Sequence, residues 1–126
     1  MDSKLDISPL YDFYKGLLNS SQQKIIELYV NDDLSLSEAS ELLGISRQGV
    51  RDSFRRAVKK MRDHEEKLHL LADFRTRVVS TTKIMEDVER IRELTDDPKI
   101  VSLCAQIMDN INYTIKFMEK EDRHGI

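Results

Sequence analysis

The sequence predicts an all-α protein of six helices, and three features carry that reading. The chain has only four Gly and two Pro in 126 residues. Charged residues make up 34% of it, above the roughly 25% of an ordinary globular domain. Apolar residues recur at spacings of three and four, and no stretch alternates with the period of a strand. A charged, breaker-poor, helically periodic chain forms long amphipathic helices rather than hairpins. Its 40% hydrophobic content supplies a core for one small domain with a helical arm.

Ser8-Pro9 is a helix start, since Ser caps and Pro suits the first helical position. The first helix then carries Leu10, Phe13, Tyr14, Leu17 and Leu18. Asn19-Ser20-Ser21 breaks it, and Ser20 or Ser21 caps a second helix with Ile25, Ile26, Leu28, Tyr29 and Val30. Asn31-Asp32-Asp33 ends that helix in a polar turn. Ser37 or Ser35 caps a short third helix with Glu38 and Glu41 near its positive end. Ala39, Leu42 and Leu43 form its apolar side. Gly44 stops it by taking the left-handed conformation. Ile45 is expected as a buried plug, and Ser46 as the next cap.

The fourth helix is the long one. Val50, Phe54, Ala57, Met61, His64, Leu68 and Leu71 are spaced as a heptad seam, which predicts one helix from Arg47 to about Ala72. A fifth helix carries Val78, Ile84, Met85, Val88, Ile91 and Leu94 and ends at Asp96-Asp97. Asp97-Pro98 restarts the chain into a sixth helix with Ile100, Leu103, Cys104, Ile107, Ile111, Thr114, Ile115 and Met118. Residues from Lys120 to Ile126 are polar and expected to fray. The architecture expected is a compact N-terminal trio, a long connecting helix and an antiparallel C-terminal pair. The division falls into residues 1–62 and a helical oligomerisation region, 63–126. The seam and the apolar faces of the last two helices exceed what a trio can cover, so a homo-oligomer is expected.

The net charge of −3 hides an asymmetry. Between Ser46 and Arg62 stand Arg47, Arg51, Arg55, Arg56, Lys59, Lys60 and Arg62 against Asp52 alone. Such a basic stripe on an acidic chain is a localised footprint for a polyanion. Its bland counterpart is a solvated face, or a face paired with the acidic excess of the C-terminal half. A single cysteine, Cys104, fits a reducing compartment. The N-terminus lacks a cationic start followed by an apolar run, so no signal peptide is expected. No window approaches the ~18 apolar residues of a membrane span. A cytoplasmic location without membrane insertion is expected.

Residues 36–50, LSEASELLGISRQGV, form a helix-turn-helix pattern. Ala39 or Ser40 supplies the small residue where the second helix crosses the first. Gly44 and Ile45 make the turn, Ser46 caps, and Val50 and Phe54 face inward with Leu43. Leu10-Tyr11-Asp12-Phe13-Tyr14, Ile26-Glu27-Leu28-Tyr29, Asp32-Asp33-Leu34-Ser35-Leu36-Ser37-Glu38, Gly44-Ile45-Ser46-Arg47-Gln48 and His64-Glu65-Glu66-Lys67-Leu68 carry a wider likeness. Over about residues 8–74 the chain resembles the YlxM family of bacterial helix-turn-helix proteins. The helix-turn-helix itself is similar to region 4 of sigma factors. The resemblance implies a cytoplasmic, all-α regulatory protein. It also implies a link to the signal recognition particle, whose GTPase is encoded beside family members. The partners it suggests are that GTPase or its receptor, or the particle's RNA. Gly49 departs from the family's pattern and costs roughly 1 kcal/mol of helix stability relative to Ala.

In helix-turn-helix docking the first turn of the second helix enters the major groove. Gln48 is then placed for adenine, and Arg47 or Arg51 for guanine, beside Ser46 and Asp52. Arg55, Lys59 and Arg62 lie farther along and would meet phosphates. Asp52 is the one local acidic partner expected for this stripe. His64 and His69 fall on different helix faces with no further ligand at metal spacing, and Cys104 reads as an inert small hydrophobe. No metal, cofactor or enzymatic activity is expected. Three readings follow from the residues: a component of the targeting pathway that binds nucleic acid or protein, a sequence-specific DNA-binding regulator unrelated to targeting, and a purely structural helical adaptor.

Overall fold

The computed structural model describes the backbone of residues 3–124 and the side chains of residues 3–116. Among these there are six α-helices and no strand: α1 (Lys4–Tyr14), α2 (Ser20–Val30), α3 (Leu36–Leu43), α4 (Arg47–Leu68), α5 (Leu70–Leu94) and α6 (Pro98–His124). The chain divides into two compact units, residues 1–71 and 72–122. Contacts of the first unit thus run past the break drawn at residue 62 from the sequence.

In the first unit, α4 packs on α1, α2 and α3. Its inner face is Val50, Phe54, Ala57, Val58 and Met61, all buried. Ile7, Leu10, Tyr11, Tyr14, Ile25, Ile26, Leu28 and Ala39 close the core around it. Phe54 meets the Tyr29 ring edge-on at 5.0 Å between centroids, the arrangement that an aromatic quadrupole favours. Tyr11 donates its hydroxyl proton to Glu27 Oε1 at 2.6 Å. Burial and that carboxylate together push the phenol well above its ordinary value.

At three places, α1, the α2 cap and the end of α4, the boundaries differ from those read in the sequence. α1 begins at Lys4, capped by Ser3, so Pro9 lies inside the helix rather than at its start. Burying Ile7 completely draws the preceding turn into the helix. Pro9 removes a hydrogen bond only to the turn of Leu5, which is exposed to solvent. α1 also stops at Tyr14, and a 3-10 turn, Lys15–Leu17, carries the chain onward. Asn19, not Ser20 or Ser21, caps α2: it accepts from the Gln22 N–H at 2.8 Å, while Gln22 Oε1 accepts from the Asn19 N–H at 3.1 Å. That reciprocal pair satisfies two otherwise orphaned donors. Ser35 and Glu38 repeat it at α3.

The third difference is the largest. The seam from Val50 to Leu71 does not sit on one helix. α4 ends at Leu68, and His69 takes a left-handed φ of 56°. The break is held from within the first unit. The buried Tyr14 hydroxyl donates to Glu65 Oε1 at 2.5 Å, and the Leu71 N–H donates to the same oxygen at 3.0 Å. The Leu70 N–H reaches Tyr14 Oη at 3.4 Å. These bonds supply the new helix's first donors with acceptors, which a continuous helix would not need. Leu68, placed on the buried seam by its spacing, is about half exposed as a result.

The second unit is the helical pair of α5, from residue 72, and α6. The connection is short: Asp97 Oδ1 accepts from the Lys99 N–H at 2.9 Å and so caps α6 behind Pro98. With only residues 95–97 between the helices, Arg77 and Thr81 of α5 and Asn110, Ile111, Thr114 and Ile115 of α6 can line one cleft of about 260 Å³ only if the two run antiparallel. Val88 and Cys104 are buried, with Met85, Met108 and Ile111 half-buried. Backbone helix continues through Lys120 to His124, past the point where fraying was expected. The Met118 side chain, Gly125 and Ile126 lie outside the described residues. No helix among those described is long and apolar enough to cross a membrane.

Candidate nucleic-acid interface

The turn between α3 and α4 is built from short polar exchanges. Gly44 adopts φ 70°, and its N–H and that of Ile45 donate to the Ser40 carbonyl at 3.0 and 3.3 Å. This left-handed stop reverses the chain, and the Ser46 hydroxyl then accepts from the Gly49 N–H at 2.9 Å. An added Cβ at Gly44 meets no atom within 4 Å, so the glycine serves the backbone and not the packing. Gly44→Val is therefore expected to lose about 1–2 kcal/mol through left-handed strain alone, read as a lower urea midpoint with an unchanged slope.

Gly49 has a different reason. A Cβ there would lie 3.0 Å from Ser46 Oγ. The missing side chain leaves room for the capping hydroxyl, which offsets part of the glycine's entropic cost.

Of the helix-turn-helix residues singled out in the sequence, Ala39, Val50 and Phe54 are buried and Leu43 is half-buried. Ile45 is not the buried plug expected: it is 43% exposed. Its N–H must turn back to Ser40 to finish α3, which aims the side chain outward, and Val50 and Ala39 fill the crossing instead.

On the outer side of α4, Arg47, Gln48, Arg51, Arg55, Lys59 and Arg62 are all exposed, with Asp52 half-buried. Arg51, Arg55, Lys59 and Arg62 stand on successive turns. They rim a groove of about 550 Å³ over Leu36, Phe54 and Val58, with Asp63 at its far end. Two carboxylates modify the row. Gln48 Nε2 donates to Asp52 Oδ1 at 2.8 Å. Lys59 pairs with Asp63 at 2.7 Å, so Asp52 is not the stripe's one local acidic partner. That hydrogen bond holds the Asp63 carboxyl below its ordinary value and the Lys59 ammonium above its own. Asp63 and Leu36 were not read as part of the site. The i,i+4 spacing of Lys59 and Asp63 is the signal that reveals the first. Leu36 joins only through tertiary packing.

Arg47, Arg51, Arg55, Arg56 and Lys60 form no ion pair with any described residue. The arrangement is a cationic helix face on a scaffold whose opposite face is locked in the core. Among the described residues, no three His, Cys, Asp or Glu are grouped to hold a metal ion.

The chain is similar to known proteins. Residues 1–101 match the family described as "UPF0122: Putative helix-turn-helix protein, YlxM / p13 like". A UPF0122 protein of Thermoanaerobacter sp. (strain X514) is 42% identical over 110 residues, covering 87% of this chain and 94% of the relative. One of Halalkalibacterium halodurans is 39% identical over 90 residues, covering 71% of this chain and 83% of the relative. One of Streptococcus pneumoniae (strain Hungary19A-6) is 36% identical over 96 residues, covering 76% and 87%.

Proposed function

The chain belongs to the UPF0122 family of YlxM / p13-like helix-turn-helix proteins, and from that membership we propose that it binds nucleic acid through the outer face of α4. The observation that carries this is the set of exposed cations on α4 that no described carboxylate neutralises. A helix whose inner face is fixed in a core presents such a row at constant spacing, about 6 Å of rise for each four residues. Phosphate contacts of this kind release counterions and dominate affinity.

The first turn is less free to read bases than its residue types suggest. Gln48 is held by Asp52, and Ser46 is engaged as the cap. Reading an adenine with Gln48 requires breaking that bond. This favours recognition led by phosphates, for which a structured RNA serves as well as a duplex. It is also the reason to keep the protein-targeting pathway, with the signal recognition particle RNA as ligand, alongside transcriptional regulation.

Fluorescence anisotropy against a labelled DNA duplex and an RNA hairpin, across a salt series, tests the proposal. Arg55→Ala is expected to weaken binding alike for every sequence and to lower the duplex salt slope by about 0.9. Arg51→Ala is expected to lose roughly 1–3 kcal/mol on a preferred sequence if bases are read. Slopes that stay unchanged in both variants remove the α4 face from the interface. Binding of the targeting GTPase that survives nuclease and both substitutions supports a protein adaptor instead.

A further inference from the structure

The groove beside the cations of α4 combines two kinds of surface, and every residue lining it lies in the first unit. Its rim is charged: Arg51, Arg55, Lys59 and Arg62 follow one another over about 16 Å of helix rise. Its floor is apolar: Leu36, the first residue of α3, lies beside Phe54 and Val58. That floor is narrow. Leu36 is half-buried, and Phe54 and Val58 are only 3% and 5% exposed. The far end is acidic, because Asp63 lines the groove there. Lys59 engages Asp63 Oδ2, which leaves Oδ1 as an acceptor.

Rim and floor need different partners. Phosphates satisfy the rim and do nothing for the floor. A fully paired duplex keeps the apolar faces of its bases stacked inside, out of reach of a surface beneath its phosphates. An unpaired nucleotide joins both properties in one residue: an anionic phosphate and, next to it, a flat ring with apolar faces and a polar edge. Guanidinium planes and apolar side chains are the usual partners of such a ring, and both line this groove. The narrow floor argues against a protein helix as the occupant. A helix in a groove inserts side chains at several successive anchors, whereas a floor so nearly closed at Phe54 and Val58 offers a surface for one flat ring.

We infer that the groove receives one unpaired nucleotide of a folded RNA, a base bulged from a hairpin stem. The ring lies over Leu36, Phe54 and Val58. Charge complementarity sets its direction. The flanking phosphates go to Arg51 and Arg55, which form no ion pair with a described residue. The base edge goes toward Asp63, whose carboxylate repels phosphate and accepts from an exocyclic amine. Cytosine, adenine and guanine carry that amine and uracil does not, so a bulged uracil is the poorest occupant. The inference rests on the nucleic-acid reading of α4 and adds to it the form of the ligand.

Fluorescence anisotropy of the full chain with two labelled RNA hairpins tests it: one stem fully paired, the other identical but for a single bulged cytosine. The bulged hairpin should bind about tenfold tighter, the scale of stacking one base on a protein surface. Leu36→Glu, at the start of α3 where a carboxylate suits the helix dipole, should remove that preference while the paired hairpin still binds. Leu36→Ala should reduce it without adding charge, with helical circular dichroism unchanged in both variants. Leu42→Glu, at an exposed position of α3 outside the groove, should keep it. Asp63→Ala should erase the advantage of bulged cytosine over bulged uracil, and an advantage that persists there overturns the assigned direction. Equal wild-type affinity for both hairpins, with a salt slope that Arg55→Ala still lowers, overturns this inference and leaves nucleic-acid binding by α4 standing. Failure of either hairpin to bind at all overturns both readings. A bulge preference untouched by Leu36→Glu and Leu36→Ala, or removed as readily by Leu42→Glu, takes the base out of the groove. Equal hairpin affinities beside saturable binding of a synthetic helical peptide with Glu and Leu on opposite faces, lost in Leu36→Glu, make the occupant a protein helix instead.

Discussion

Val50→Asp is expected to unfold the first unit. Val50 is fully buried on α4, at the crossing where Ala39 and Ser40 bring α3 against it. A carboxylate there has no cation within the core to meet. It must either remain charged in a low-dielectric setting or take up a proton and stay an unmatched polar group. Either route loses several kcal/mol, set against a total of about 5–15 kcal/mol for a small domain. Val50→Thr nearly keeps the volume and adds only a hydroxyl, so it should lose about 1–3 kcal/mol and stay folded. Thermal melts by circular dichroism separate the three proteins. Equal melting temperatures for all of them would place Val50 in solvent and break the assignment of α4's inner face.

The second large effect falls at the break between α4 and α5. Glu65→Ala removes the oxygen that accepts from both Tyr14 and Leu71. Each buried donor left without an acceptor costs about 1–3 kcal/mol, so the loss should exceed that of an ordinary surface change. Tyr14→Phe is milder, near 1 kcal/mol, because Glu65 is only half-buried and water can replace the phenol. The two residues form one network, so Tyr14→Phe with Glu65→Ala should lose less than the separate losses combined. Urea titrations of the four proteins give the coupling, and strictly additive losses would mean that the hydroxyl and carboxylate do not stabilise one another.

These two sites also show what a sequence discloses and what it withholds. The inner face of α4 was readable because Val50, Phe54, Ala57 and Met61 repeat at helical spacing within one uninterrupted helix. Gly44 was readable because few residues besides glycine rest at a φ of 70°. The break at His69 was not. Its spacing argued for continuity, and the interaction that ends the helix joins Glu65 to a tyrosine on α1. Pro9 misled for a similar reason: a local preference for a helix start yielded to the burial of Ile7. At the candidate interface, the cations were legible as a stripe, while the groove beneath them needed Leu36 from α3. Gln48 is a base-reading group by residue type, and its i,i+4 spacing to Asp52 is the signal of the bond that holds it.

Tyr14 and Glu65 stand 51 positions apart, and that separation governs how the chain can fold as it is made. Synthesis delivers α1, α2 and α3 first, with Ile7, Ile25, Ile26 and Ala39 belonging to a core that these three cannot close. Every one of them packs on α4, and the last latch sits at α4's final turns. The core cannot close before α4 is available, so full burial of these residues needs the chain up to Leu71. A nascent chain halted before that point displays the apolar sides of three short helices to whatever chaperone is near. The same chain a few residues longer hides them.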